Sequence, residues 1–455
     1  MELPDTPAAR LARQVVGRLH SAGYQAYLVG GCVRDLLLGK RPEDFDIATD
    51  ARPEEVLRLF PNGQLVGAHF GVVRIFDDGA HVQVATFRSD DSYLDGRHPS
   101  EVRFEKRPEE DVKRRDFTVN ALMWDPASGC LLDLAGGRRD LEARLIRTVG
   151  DPEERFGEDH LRMLRAIRFA ARLRFVIDPD TFAAIRRLRE RIRRVSAERI
   201  RDEIFRILTE GGARYGFELL NQSGLLEVLL PEVAAMKGVE QPPEYHPEGD
   251  VWTHTLLMLE KMGKPGVTLA LGVLLHDVGK PPTFRRTDRI RFDNHTRVGA
   301  EMAAEICRRL RCSRETTARV AALVRDHLKF IDVKKMRPAT LKRFLREPHF
   351  EELLELHRLD CLASHGNLDN YEFCKRKLAE LSQEELRPKP LITGRDLIAA
   401  GYRPGPAFKR ILEAVETAQL EGTLQTPAAA LDFVRSRFLP PDGKPAPQPA
   451  TQGGT

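Results

Sequence analysis

Asp44 and Asp46, on either side of Phe45, are the first residues in this chain whose type and spacing could do chemistry. Side chains alternate across a strand, so residues two apart share a face, with Cα atoms roughly 6–7 Å apart. Two carboxylates so placed can hold divalent metal ions, and two such ions about 3.5–4 Å apart can clamp a phosphoryl transfer. Gly30 and Gly31 close the apolar run Tyr27-Leu28-Val29. Lacking a Cβ, they let backbone N–H groups come close to a triphosphate just before a helix N-terminus. A lone Asp-x-Asp reads most simply as a solvated turn. Its place after Gly30-Gly31 and Arg34-Asp35 favours the metal-and-phosphate reading.

Two further segments extend that chemistry. In RRDFTVNAL, residues 114–122, Arg115 suits triphosphate oxygens and Asp116 can accept from a ribose hydroxyl. Alone, the segment would pass for a basic helix cap. Further on, Asp159 and Arg162 stand three apart, as do Arg165 and Arg168. A carboxylate beside a guanidinium offers the acceptor and paired donors needed to read the Watson–Crick edge of a base. An ordinary helix ion pair, worth a few tenths of a kcal/mol, is the plainer alternative. The arginine-dense run 185–208 would present a basic face suited to an RNA backbone, or a solvated face compensated by its glutamates.

The second half carries a different set: His254, the adjacent His276 and Asp277, His295, His327 and Asp360. Imidazole and carboxylate suit Mn, Fe, Ni or Co, and a bound metal can activate water for phosphoester hydrolysis. Any one of these histidines alone reads as structural. Lys280, after Gly279, could meet a phosphate.

These residues need elements to hold them. The spacing predicts an amphipathic helix over 6–20, a helix over 51–60, and strands over 72–76 and 82–87 joined through Asp77-Asp78-Gly79, a hairpin signal. Gln83 falls on the second strand, where a third acidic ligand would be expected, and glutamine is a poor Mg²⁺ ligand. Residues 89–113 are polar, with almost no apolar pattern, and read as a mobile loop over a site. A helix is expected from Asp159 through Phe175. Glu240-Gln241-Pro242-Pro243 reads as a break, and 391–424 as two helices about a Pro-Gly-Pro turn. The Pro- and Gly-rich end after Leu439 reads as disordered.

The 455 residues suggest about three domains. With 42% hydrophobic and 31% charged residues, the chain is expected to be globular and soluble. A net charge of +4 and a pI near 8.7 favour anionic partners. The six cysteines show no C-x-x-C pair, and neither a signal peptide nor a long apolar span is evident. A cytoplasmic location and no membrane role are expected.

LVGGCVRDLLLGKRPEDFDIAT, RRDFTVNAL, EDHLRMLRAIRFAARL and SAERIRDEIFRIL, in that order, resemble the motifs of the class II tRNA nucleotidyltransferase and bacterial poly(A) polymerase family. The likeness implies an α+β fold: a nucleotidyltransferase head with a small, mixed, five-stranded sheet, then an all-α neck and body and tail helices. The boundaries expected are head 1–150, neck and body 151–240, metal-binding domain 241–380, helical tail 381–438 and disordered end 439–455. It implies that Asp44 and Asp46 hold Mg²⁺, that Gly30, Gly31, Arg34 and Arg115 meet the triphosphate, and that Asp116 meets the ribose. Asp159 and Arg162 would pair with the base, and Asn120, Arg165 and Arg168 complete the nucleotide-binding set. Glu198, Arg199 and Glu203 belong to the neck motif.

The ordered histidines and aspartates resemble the HD phosphohydrolase superfamily. That likeness implies His254, His276, Asp277 and Asp360 as core ligands of a transition metal (Ni, Mn, Co or Fe), with His295 and His327 able to hold a second.

The joint reading is an enzyme that adds CMP and AMP from CTP and ATP to tRNA 3′ ends, fused to a phosphatase or 2′,3′-cyclic phosphodiesterase. The alternatives are a poly(A) polymerase, a CC-only or A-only enzyme, or a phosphohydrolase with an RNA-binding head. Poly(A)-forming members tend to carry a basic pair where this chain has Ala68-His69, within Leu65-Val66-Gly67-Ala68-His69-Phe70. That difference favours CCA addition. Oligomeric state is left open.

Overall fold

Burial alternates over Asp44 to Ile47, where the chain enters the strand that begins at Asp46. Phe45 and Ile47 turn into the core, at 2% and 0% exposure, and leave Asp44 and Asp46 on the open side. The computed structural model describes residues 1–66, 71–90 and 102–438. The head sheet contains β1 (Ala26–Val29), β2 (Asp46–Thr49), β3 (Gly63–Val66), β4 (Val72–Asp77) and β5 (Ala80–Thr86). A short pair, β6 (Arg88–Asp90) and β7 (Val102–Phe104), lies apart from it. β8 (Met123–Trp124) and β9 (Leu131–Leu132) then complete the sheet in the order β3-β4-β5-β2-β1-β8-β9. Only β2 and β5 run parallel, so the sheet is mixed. It has seven strands where the resemblance implied five, because the two-residue strands β8 and β9 continue the ladder beyond β1. The β4–β5 turn places Asp78 and Gly79 at φ 41° and 74°, the left-handed pair that a tight hairpin demands. Helix Pro7–Ser21, capped by Thr6, buries Leu11, Val15, Val16 and Leu19 and packs on β5 and β1.

Part of the expected loop over 89–113 is ordered. β6 pairs with β7, and helix Pro108–Lys113 follows with proline and acids in its first turn. Asp111 there is fully buried between two arginines, and the hydropathy pattern gave no sign of that burial. Residues 91–101 lie outside the described residues.

In the neck, the expected helix over 159–175 is shorter. Helix Pro152–Glu158 ends at Asp159, whose backbone is extended, and a new helix runs Arg162–Leu173. The arginine-dense run divides into helix Pro179–Leu188, a 3₁₀ turn Arg189–Arg194 and helix Ala197–Thr209.

The body that follows is helical apart from the two-stranded pair Phe284–Arg286 and Ile290–Phe292. One hydrophobic cluster continues from the head through the neck into this body. The tail has its own small core around Leu397, Ile411, Val415 and Val434. The two helices expected over 391–424 are Gly394–Ala399 and Pro406–Leu420, and a third, Pro427–Arg437, follows beyond that stretch. The third starts at a Thr426 cap followed by proline. The end expected to be disordered lies outside the described residues. Among the described residues, no helix is long and apolar enough to cross a membrane.

Candidate functional sites

The head site is open. Among the described residues neither the Asp44 nor the Asp46 side chain makes a hydrogen bond or ion pair, and both residues are exposed. Desolvation lifts Asp46 above the usual carboxylate range; Arg115 opposes the shift and the like charge of Asp44 adds to it. A pair of carboxylates that repel each other is relieved by a divalent cation. Register places Gln83 directly beside Asp46 on the parallel neighbour strand, so no third carboxylate stands there. That donor set fits Mg²⁺, which commonly takes one or two carboxylates and fills its remaining positions with water and substrate phosphate.

Around these carboxylates the motif residues are already wired together. Gly30 turns at φ 75°, and a Cβ on it would sit 3.6 Å from Arg115 Nη1, so the guanidinium lies against the glycine turn. Asp111 Oδ2 accepts from Arg115 Nε and Nη2 at 3.1 and 2.9 Å, while its other oxygen accepts from Arg114. Arg34, expected at the triphosphate, is 2% exposed and donates to Asp35 Oδ1 at 2.8 Å and Asn120 Oδ1 at 2.7 Å. It braces the turn from below. Asn120 passes the connection on, donating to Asp116 Oδ1 at 3.2 Å. The other Asp116 oxygen takes Arg165 Nε and Nη2 at 2.9 and 2.6 Å. Burial would raise Asp116, but Arg165 and Asn120 outweigh it and hold the carboxyl low.

Asp159 and Arg162, read as neighbours on one helix face, meet only through the backbone, where Arg162 N donates to Asp159 O at 3.0 Å; their side chains do not pair. Asp159 precedes the helix and is gripped by both Arg199 Nη atoms, at 3.2 and 2.7 Å. Arg162 donates to the carbonyls of Arg155 and Arg114, at 3.0 and 2.7 Å, and to Glu158. Arg168 lies over Phe169 and donates to Glu203 at 2.7 Å. Sequence reasoning did not single out Asp111, although its spacing of three and four from Arg114 and Arg115 is a readable pairing signal.

The second site is closed. His254, on helix Val251–Lys261, is fully buried; His276 and Asp277 follow the end of helix Val267–Leu275. Each imidazole is pinned through Nδ1. His276 donates to Val273 O at 2.8 Å, His295 to Phe292 O at 2.8 Å and His327 to Val324 O at 2.7 Å. His254 donates to Glu248 Oε1 at 2.6 Å. Carbonyl and carboxylate oxygens only accept, so every Nδ1 carries a proton and every Nε2 presents a lone pair to the centre. The Nε2 atoms of His254, His276 and His295 and Oδ1 of Asp277 are buried without hydrogen-bond partners. His254 Nε2 lies 3.1 Å from Asp360 Oδ1, and His295 and His327 lie 3.7 and 3.8 Å from Asp277 Oδ1.

Orphaned acceptors facing one another need a cation. They fall into two groups, His254 with His276 and Asp360, and Asp277 with His295 and His327. The residues fit two divalent ions. Burial depresses His254, but Asp360 and Glu248 on either side reverse this and raise it to about 9. Burial pushes His327 down to about 4. Lys280 is buried, donating to Asp277 Oδ2 at 2.7 Å and Gln241 Oε1 at 2.6 Å. A cavity of about 680 Å³ opens beside the centre, with Lys280, His295, His327 and Asp360 on its floor and Tyr245 and Ile331 at its walls. Sequence reasoning missed His246 and Glu248, eight and six residues before His254.

An open carboxylate pair at the start of a strand beside a glycine turn, backed by an arginine-rich neck, is the arrangement of a nucleotidyltransferase-type head, here joined to a body whose histidines and aspartates could hold metal. Residues 26–147 match the poly A polymerase head domain, 174–237 the probable RNA- and SrmB-binding site of polymerase A, and 249–363 the HD domain. The chain thus carries, in order, matches to a poly A polymerase head, its RNA-binding segment and an HD domain.

It is 45% identical over 226 residues to a CCA-adding enzyme of Levilactobacillus brevis, covering 50% of this chain and 57% of that one. To the Lactobacillus johnsonii CCA-adding enzyme it is 38% identical over 266 residues, 57% of this chain and 65% of that one. The chain thus spans less than two thirds of the length of these curated relatives. In three dimensions it resembles the Bacillus stearothermophilus CCA-adding enzyme in complex with CTP, with a TM-score of 0.71 and 27% identity over 95% of this chain and 99% of that one. It also shares the fold of the Thermotoga maritima CCA-adding enzyme complexed with tRNA, with a TM-score of 0.60 at 22% identity, covering 96% of both chains.

Proposed function

We propose that this chain adds CMP and AMP from CTP and ATP to tRNA 3′ ends, rebuilding CCA, and that its HD centre hydrolyses phosphoesters at such ends. The observation that carries the first part is the open, unpartnered Asp44–Asp46 pair beside Arg115 and the glycine turn. Likeness over nearly the whole chain to a CCA-adding enzyme complexed with CTP supports it.

In this reading the RNA 3′-hydroxyl attacks the α-phosphorus. An O–P bond forms as the bond to the β-phosphate oxygen breaks, and pyrophosphate departs with the charge. Mg²⁺ held by Asp44 and Asp46 would lower the hydroxyl's pKa and neutralise the phosphates. Arg115, fixed by Asp111, meets the triphosphate. Asp116 accepts a ribose hydroxyl in place of one Arg165 bond. Asp159 and Arg162 read the base from the protein side, without a template. In the HD centre His254, His276, Asp277, His295, His327 and Asp360 would hold Ni, Mn, Co or Fe, which activates water for attack on phosphorus. Lys280, held by Asp277, adds positive charge beside the phosphate.

The test incubates purified protein, Mg²⁺ and tRNA lacking CCA with ATP, CTP or both, and sequences the products. Ordered C, C, A addition is expected. Long A tails from ATP alone, with CTP ignored, would replace this reading with polyadenylation. A 2′,3′-cyclic phosphate substrate with Ni²⁺ or Mn²⁺ tests the HD half, where activity is expected to vanish in His276→Ala.

A further inference from the structure

Between the neck and the body, the segment that reads as a proline-rich break folds back over the HD centre. Its turns are closed by Tyr245 N and His246 N donating to Pro242 O at 3.1 and 3.0 Å, and by Gly249 N donating to His246 O at 3.3 Å. They deliver a carboxylate into the core. Glu248, with its side chain 7% exposed, accepts at one oxygen from two imidazoles: His254 Nδ1 at 2.6 Å and His246 Nδ1 at 2.9 Å. The two rings meet edge to face, with centroids 5.1 Å apart.

These three groups are close enough together to suggest a third metal position. The chemistry argues against it. Both contacts have hydrogen-bond lengths, and a carboxylate oxygen accepts only from a nitrogen that carries a proton. A metal among them would have to displace both protons and would release His254 from the tautomer that turns Nε2 toward His276 and Asp360. His246 belongs to neither of the two ligand groups. It lines the cavity, its side chain is 17% exposed, and its Nε2 has no protein partner among the described residues.

We propose that Glu248 is a positioning residue of the HD centre, one oxygen fixing His254 for metal and His246 for the water or hydroxyl beside the scissile phosphate. This rests on the HD reading above. Carboxylates behind metal-bound histidines fix tautomer and ring orientation, and their loss typically costs 10- to 100-fold in metal affinity. The same carboxylate here serves a ligand and a cavity residue, so the two sides of the site are held by one group. With Nδ1–H committed to Glu248, Nε2 of His246 is an acceptor facing the cavity.

The experiment uses the full chain and Ni²⁺ as the probe. Metal content after dialysis and the affinity from chelator competition are measured for the parent, Glu248→Ala, Glu248→Gln and His246→Ala, with CMP incorporation into tRNA as the check on folding. Glu248→Ala is expected to weaken Ni²⁺ binding about 10- to 100-fold. Glu248→Gln, which keeps an acceptor, should recover part of that loss. His246→Ala should bind Ni²⁺ like the parent, yet turn over a 2′,3′-cyclic phosphate about 10- to 100-fold more slowly at saturating Ni²⁺.

Parental affinity in Glu248→Ala would overturn the positioning role. Loss of Ni²⁺ in His246→Ala would make His246 a ligand and overturn its assignment to substrate. A parent that binds neither Ni²⁺ nor Mn²⁺ would instead bring down the HD reading itself, so the two failures are distinguishable.

Discussion

The two metal-competent sites of this chain are built on opposite principles. In the head, two exposed carboxylates stand at and just before the start of one strand, with no side-chain hydrogen bond or ion pair among the described residues and a glutamine where a third acid would go. In the body, four histidines and two aspartates converge with their acceptors already aimed, three of the imidazoles held by backbone carbonyls. On the proposed reading, substrate phosphates would complete the head. The body is complete before any substrate is present. An open pair suits a metal that enters and leaves with a nucleoside triphosphate at each addition. A closed cluster suits a resident ion.

The largest effects should come from crossing the two sites. Asp46→Asn removes one of only two head carboxylates, and nucleotide incorporation should fall at least about a thousandfold, the scale expected when a metal clamp on a transferring phosphoryl group is lost. HD metal content should stay at the parental level. His276→Ala should do the reverse, abolishing phosphoester hydrolysis and lowering retained metal while C, C, A addition continues. If either variant lost both activities while remaining folded by circular dichroism, the sites would not be independent.

Closure also makes the body sensitive to acid. His357 packs flat on Phe330, with centroids 4.3 Å apart, and burial pushes its pKa down to about 4. Its folded value lies below the unfolded value of about 6.5, so protonation favours the unfolded chain. The stabilising contribution is present above about pH 6.5 and is lost as the pH falls toward 4, amounting to at most about 3 kcal/mol. Denaturant unfolding at pH 7 and pH 4.5 should show a smaller loss in His357→Phe than in the parent. An identical loss would refute the assignment.

A third difference lies in the backbone. Gly279 follows the His276-Asp277 pair, and a Cβ there would come 2.2 Å from the carbonyl of His295 and 2.6 Å from Gly299 N. The absent side chain is what lets the His295–Arg309 helix bring its histidine to the centre. Gly279→Ala should therefore destabilise the body by about 1–3 kcal/mol through overpacking and weaken the His295-side metal group. Thermal unfolding and Ni²⁺ stoichiometry would check both. Gly30 works differently: its φ of 75° shapes a turn, and a Cβ would find Arg115 only at 3.6 Å.

What was legible in the sequence follows the same division. Alternation around Phe45 exposed the aspartate pair, and the Asp78-Gly79 turn gave the hairpin. Histidine spacing gave the HD set, because metal ligands must be those residue types. The partners that fix these groups were harder to read. Glu248 sits in a segment whose prolines signal a linker, Asp111 in one whose polarity signals a loop, and Arg199 pairs with Asp159 across 40 residues of chain. Local periodicity carries no information about contacts of that kind. Arg34 is placed at the triphosphate by the resemblance of its motif, which carries no sign of its burial against Asn120.

The smallest effect is the sharpest test of the open-site argument. Gln83 lies in parallel register with Asp46, on a strand that also pairs with β4. Gln83→Glu keeps the size and adds a carboxylate where the head has none. If the head is tuned for a metal that arrives and departs with substrate, a third acid should tighten Mg²⁺ without speeding the reaction. The Mg²⁺ concentration for half-maximal CMP incorporation should fall about three- to tenfold, at most about 1.4 kcal/mol. Turnover at saturating Mg²⁺ should stay level or drop, because pyrophosphate would leave with its metal more slowly. An unchanged Mg²⁺ requirement would mean that position 83 does not face the ion, and that the two aspartates and the substrate alone set the affinity.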